Sequence, residues 1–152
     1  MPGKTILLVE DDPNDVLLLH RAFARHQLAG TIHAVVNGEE AVAYLKGQGP
    51  YGDRHSHPVP CLMLLDLSLP RLSGFEVLQW LRHRSALKQV PVVVLTSSKD
   101  QADVDRAYEL GANSYLVKTP DLDGTVDVAK IVDTYWIVLN RKPSVCEVGT
   151  LP

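Results

Sequence analysis

The stretch Cys61-Leu62-Met63-Leu64-Leu65-Asp66 decides the fold. Five apolar residues in a row leave no polar face, so as a strand the segment has to be covered on both sides, as in a parallel sheet between two helical layers. The run Val92-Val93-Val94-Leu95 repeats the pattern. Shorter runs at Thr5 to Val9, Thr31 to Val36 and Ser114 to Val117 complete a set of five predicted strands. The segments between and after them, Asn14 to Gln27, Gly38 to Lys46, Gly74 to Arg84, Gln101 to Leu110 and Leu122 to Leu139, place apolar residues three and four apart and predict helices. Strict alternation of this kind, with right-handed crossovers, builds an α/β, doubly wound five-stranded parallel sheet with helices on both faces. Its expected strand order is 2-1-3-4-5.

Local signals fit that reading. Asp12-Pro13, Ser73-Gly74 and Asp100 offer helix starts, and Gly30 and Gly111 offer stops. Gly47 to Pro60 carries three Gly, three Pro and two His and reads as a long loop inserted before the third strand. One domain is expected over 1–140, followed by an irregular tail over 141–152. The 152 residues suffice for a single core without disulfides or a structural metal. A net charge of -3 gives no global attraction to nucleic acid or an anionic membrane, so neither is expected as a partner. The apolar part of the N-terminus is too short for a signal peptide or a membrane span. Cys61 in an apolar run and Cys146 in a polar tail fit reduced thiols, so the expected location is the cytoplasm.

Ligands of open α/β sheets bind outside the carboxyl ends of the strands, where the strand order reverses. Glu10-Asp11-Asp12 follows the first strand and Asp66 ends the third, so this order makes the acids converge. Such a cluster needs a cation, raised pKa values or intervening solvent. Oxygen donors without Cys or His favour a hard ion, and a shallow site with few protein ligands suits Mg²⁺. Asp12 caps the first helix, and Glu10 and Asp11 taken alone read equally well as capping acids. Asp66 is different, because an acid ending a wholly apolar strand has no routine packing role. The fourth strand runs into Thr96 and the fifth into Lys118, which adds a hydroxyl and a cation at the same sheet edge. An aspartate beside Mg²⁺, with these two groups able to hold phosphoryl oxygens, is a phosphoryl-acceptor arrangement.

Glu10-Asp11, Asp66, Thr96 and Lys118, with Leu7-Leu8-Val9 before them, Leu67-Ser68-Leu69-Pro70 after Asp66, Gly74, and Gly111-Ala112, resemble the two-component response-regulator receiver domain over nearly the whole chain. The resemblance implies a flavodoxin-like receiver fold and phosphorylation by a sensor histidine kinase. It makes Asp66 the phosphoacceptor, with Asp11 a direct Mg²⁺ ligand, Glu10 an outer ligand and Ser68 a ligand through its backbone carbonyl. Thr96 and Lys118 would hold the phosphoryl oxygens, and Tyr115 would be an aromatic switch residue. The Gly47 to Pro60 insertion, Leu95 to Ser98, Ala112 to Lys118 and Tyr135-Trp136 look like the single-domain regulators that partner bacterial phytochrome kinases. The family's usual Pro directly after the Lys is replaced by Thr119, and a cis peptide there would cost ~3 kcal/mol more than trans.

A Mg-dependent aspartyl-phosphate phosphohydrolase is the nearest rival, but such enzymes place an acid two residues after the nucleophile, where this chain has Ser68. The protein is therefore expected to catalyse only its own phosphorylation and slow dephosphorylation. A flavodoxin-like FMN carrier would suffer repulsion between Glu10-Asp11-Asp12 and the flavin phosphate, and the full acceptor set argues against an unphosphorylated scaffold. His55 and His57 read as solvated loop residues, Arg82-His83-Arg84 as a basic helix end, and Phe75, Leu78 and Trp80 as core. The signal is expected to leave through protein contacts, to a downstream protein or phosphotransfer partner. Val128, Val132, Tyr135, Trp136 and Leu139, widened by Ile131 and Val138, give the fifth helix a broad apolar surface. A homodimer through this helix, anchored by Tyr135 or Trp136, is expected beside the alternative that these aromatics finish the core.

Overall fold

Strand β3 (Leu62–Leu65) is buried at every residue, as an apolar run without a polar face requires. It lies between β1 (Thr5–Val9) and β4 (Val92–Thr96), with β2 (Thr31–Val35) beyond β1 and β5 (Ser114–Val117) beyond β4. All four pairings are parallel, and the order is 2-1-3-4-5. The computed structural model describes residues 4–148 with the exception of Ser85. Burial follows position: β1 is wholly buried, whereas of β2 only Val35 is.

Helices α1 (Pro13–Arg25), α2 (Gly38–Lys46), α3 (Gly74–Arg82), α4 (Gln101–Glu109) and α5 (Leu122–Val132) fill the gaps. Asp12, Ser73 and Asp100 cap their helices as expected, Ser73 within a reciprocal box with Glu76, and each cap is worth about 1 kcal/mol. The end of α1 differs from the expected stop at Gly30. Gln27 takes the left-handed conformation at φ 51°, and Gly30 N–H instead donates to Asp133 Oδ1 at 2.8 Å.

Further features depart from the sequence reading. The fifth helix is α-helical only to Val132 and continues as a π-helix over Asp133–Leu139. The change coincides with Asp133, whose buried carboxylate accepts from Ala29 and Gly30 N–H. The tail contains a short helix, α6 (Ser144–Val148), with Cys146 buried. The inserted loop is tied down by Arg54, whose guanidinium donates to Leu45 O at 2.6 Å and to Tyr44 O at 2.7 Å, the latter shared with the Gly47 N–H, and so adds a cation at the end of α2. His57 is half-buried rather than solvated, edge-on to the rings of His33, Tyr44 and Tyr51, while His55 is exposed.

Leu78 is core, but Phe75 and Trp80 are half-buried and carry cations, Arg106 over Phe75 at 4.2 Å and Arg84 over Trp80 at 4.6 Å. Arg82 serves more than a helix dipole. Its guanidinium donates to Gly111 O, Lys88 O, Val90 O and Asn113 Oδ1, lacing the end of α3 to the starts of β4 and β5.

Candidate functional site

Strand register brings the chemistry together. Val9 pairs with Leu65, so Glu10 and Asp66 leave the sheet side by side, and Asp66 N–H donates to Val9 O at 3.1 Å. On the other side Thr96 pairs with Val117, and Lys118 N–H donates to Thr96 O at 2.8 Å. Glu10, Asp11 and Asp66 each bring a carboxylate oxygen within 4.8 Å of the others. Glu10 and Asp66 are buried and Asp11 is exposed at the mouth. Ser68, whose N–H donates to Asp66 Oδ1 at 3.3 Å, and Ser97 line the same open depression of about 500 Å³.

Gly74 fixes the approach of α3 to this edge. A Cβ there would collide with the Asp66 carbonyl and with Leu67 Cα at 2.7 Å, both backbone atoms that cannot step aside cheaply. A side chain at this position therefore displaces either α3 or the segment that carries Asp66.

The Lys118 ammonium contacts Glu10 and lies 3.0 Å from Asp15 Oδ2 and 3.1 Å from Asp66 Oδ2. Burial acts to lower its pKa, but bonds to Glu10 and Asp15 and the charge of Asp66 outweigh it and hold the group above the ordinary lysine range. Burial lifts the Glu10 carboxyl to about 7, against the opposing bond from Lys118 and with the charge of Asp66 acting in the same direction as burial. Burial, reinforced by the charge of Asp66, thus makes Glu10 resist ionisation despite a neighbouring cation. The donors are all carboxylate oxygens, which suits a hard divalent cation such as Mg²⁺.

Thr96 Oγ1 is buried and has no hydrogen-bond partner among the described residues. An orphaned hydroxyl costs about 1–3 kcal/mol, so its persistence beside Asp66 and Lys118 fits a group that bonds a ligand oxygen. Tyr115, in register with Val94, is half-buried, and its hydroxyl donates to Ser98 O. The Lys118–Thr119 peptide is trans, so the turn is made without the family's cis bond.

The structure thus gathers Glu10, Asp11, Asp66, Ser68, Thr96 and Lys118 at one edge, with Tyr115 on the neighbouring strand. Tyr135 and Trp136 lie in the π-helical extension of α5. The sequence reading missed Asp15, which looked like an ordinary first-turn acid of α1. Its four-residue spacing from Asp11 was the available signal.

Comparison with known proteins agrees with this geometry. Residues 6–130 match the family model for the response regulator receiver domain. Response regulator Rcp1 of Synechocystis is 37% identical over 136 residues, 90% of each chain. The crystal structure of its Mn²⁺-bound form superposes with a TM-score of 0.82 at 35% identity, over 93% of this chain and 99% of that one. The phosphorylated cyanobacterial phytochrome response regulator RcpA gives a TM-score of 0.85 at 35% identity, with the same coverage. RPA3017, a response regulator in red light signaling of R. palustris, gives 0.86 at 31% identity, over 95% of this chain and 99% of that one.

Proposed function

Because this chain belongs to the response regulator receiver family, we propose that Asp66 accepts a phosphoryl group from a phosphohistidine of a sensor histidine kinase of the phytochrome type. The observation that carries this reading is the meeting of a buried aspartate, a buried unpartnered hydroxyl and an ammonium at adjacent strand ends. An Asp66 carboxylate oxygen attacks phosphorus in line. The P–O bond forms as the P–N bond breaks, and its electron pair stays with the imidazole, which takes up a proton. Lys118 and Thr96 Oγ1 hold the phosphoryl oxygens as their charge redistributes, so the chain's contribution is alignment and charge neutralisation. Asp11 and Asp66, with the Ser68 carbonyl and with Glu10 through water, are the residues that would hold Mg²⁺, which supplies positive charge against the crowded acids.

Ser68 stands two residues after Asp66, where a phosphohydrolase needs an acid to protonate its leaving group. The protein therefore acts on itself, with slow hydrolysis of its own acyl phosphate as its only turnover. Phosphohistidine donors are charged from ATP, which supports a cytoplasmic setting for this exchange. The signal passes on by protein contact or phosphotransfer, and a homodimer through α5 and its π-helical extension presents the regulated face.

The test is labelling by a phytochrome-type kinase and by a small acyl phosphate. Wild type is expected to be labelled once, Asp66→Asn not at all while remaining folded, and excess chelator to suppress labelling. Asp11→Ala should weaken Mg²⁺ binding more than Glu10→Ala. Labelling of Asp66→Asn at wild-type stoichiometry refutes the acceptor assignment.

A further inference from the structure

The Lys118 ammonium is approached by three acids from three elements: Glu10 from the end of β1, Asp66 from the end of β3, and Asp15 from the first turn of α1. Glu10 and Asp66 belong to the carboxylate cluster suited to a divalent cation, and Asp15 stands outside it. Glu10 and Asp66 would share their charge with a cation held there, whereas Asp15 would keep its full hold on Lys118. Next to this pair lies a cavity of about 30 Å³ between α1 and α5, lined by Leu8, Leu19, Leu95, Thr125 and Val128, with Asp15 and Lys118 in its wall. The lysine stem therefore has room on the α1 side of the site.

We propose that Asp15 is a positioning residue that holds the Lys118 ammonium on the α1 side and competes with the phosphoryl group for it. The inference rests on Asp66 being the phosphoacceptor. Lys118 has to turn toward the phosphoryl oxygens when Asp66 is modified, and each contact it keeps with Asp15 subtracts from that pairing. Asp15 thereby sets how firmly the phosphorylated state is held. The pair is only partly shielded, with side-chain exposures of 17% for Lys118 and 36% for Asp15, so the competition is modest. It amounts to about a five-fold change in affinity for a phosphoryl mimic.

The test is titration of beryllofluoride, in the presence of Mg²⁺, into the intact chain. Asp15→Asn is expected to bind about five-fold tighter than wild type, and Asp15→Glu to restore wild-type affinity. A general loss of negative charge would also tighten binding, so the same substitution is made in a Lys118→Ala background, where the gain should vanish. Should Lys118→Ala bind too weakly to measure, the side-chain nitrogen resonance of Lys118 decides: it should move with Asp15→Asn and stay with Asp15→Glu. Unchanged affinity in Asp15→Asn, an equal gain without Lys118, or an unmoved resonance overturns the inference. A wild-type chain that binds no beryllofluoride overturns the phosphoacceptor reading as well, which separates the two failures.

Discussion

The Tyr115 hydroxyl donates to the Ser98 carbonyl across 3.0 Å, bridging β5 to the loop between β4 and α4. Ser98 Oγ in turn donates to Asp103 Oδ2 at 2.7 Å, so this loop is tied both to β5 and to the first turn of α4. Thr96, with its unpartnered hydroxyl, ends β4 immediately before the loop. A phosphoryl oxygen on Asp66 that bonded Thr96 Oγ1 would pull on this loop, and the bond to Tyr115 is the contact expected to give.

Thr96→Ala should therefore leave Asp66 labelled but disconnected from the face of α4 and β5. Methyl and aromatic NMR of that face, with and without beryllofluoride, should show large shifts in wild type and only small ones in Thr96→Ala. Tyr115→Phe removes the latch at a cost of about 1 kcal/mol in stability and should move the unmodified protein part-way toward the phosphorylated spectrum. Shifts of wild-type size in Thr96→Ala would rule out this route.

A second prediction concerns the buried Asp133. Its two carboxylate oxygens accept from Ala29 N–H at 3.1 Å and Gly30 N–H at 2.8 Å, joining the turn before β2 to the end of α5. Asp133→Ala orphans both donors and should cost about 2–4 kcal/mol in urea unfolding. Asp133→Asn keeps one acceptor oxygen and should cost less. Equal midpoints for Asp133→Ala and wild type would show that other groups satisfy these amides.

The contrast between these residues explains what the sequence could reveal. Apolar runs such as Cys61 to Leu65 fix strand identity and, through the parallel order, the edge where Glu10, Asp11, Asp66, Thr96 and Lys118 meet, because position along a strand dictates where its last residue emerges. Side-chain bonds over 103 or 104 residues, as between Lys118 and Asp15 or Asp133 and Ala29, leave no local pattern. Arg54 illustrates the same limit: its loop is rich in Gly and Pro, and its guanidinium joins the loop's own His57 carbonyl to two carbonyls nine and ten residues back, at the end of α2. The change to π-helical winding at Asp133 is equally silent, since the apolar spacing of the fifth helix runs through it without a break.

The third prediction is a dependence of stability on pH through His33. Burial, then the nearby His57, lowers its pKa from the ordinary 6.5. The unfolded chain therefore binds a proton that the folded chain resists, so stability rises with pH in this range. Its contribution is complete above about 6.5 and is lost as pH falls from there toward the lower folded value. Urea midpoints should decline between about pH 7 and 5.5, and His33→Phe, which keeps a ring against Tyr44 and His57, should flatten the decline. A wild-type slope retained in His33→Phe would assign the effect to another group.

The last prediction concerns the surface of α5 and its extension. Ala129, Val132 and Ile137 face the core, whereas Ile131, Tyr135, Val138 and Leu139 are 60%, 54%, 59% and 67% exposed. Ile131, Tyr135 and Leu139 recur every four residues, with Val138 exposed beside Leu139, and apolar residues gathered on the outside of a domain favour a self-complementary contact about a two-fold axis. Trp136 stands apart from these residues, because it is half-buried against the core and offers only an edge to Tyr135, with ring centroids 4.9 Å apart. Tyr135 is therefore the expected anchor of such a contact. By sedimentation at about 20 µM the wild type should be dimeric, and Tyr135→Ala with Leu139→Ser should weaken the dimer by about ten-fold or more. Trp136→Ala should instead lower thermal stability more than it weakens association, because it removes packing from the core side. A wild-type monomer with and without acyl phosphate would remove the dimer, and a Trp136→Ala chain that dissociates while keeping its thermal stability would exchange the roles of the two aromatics.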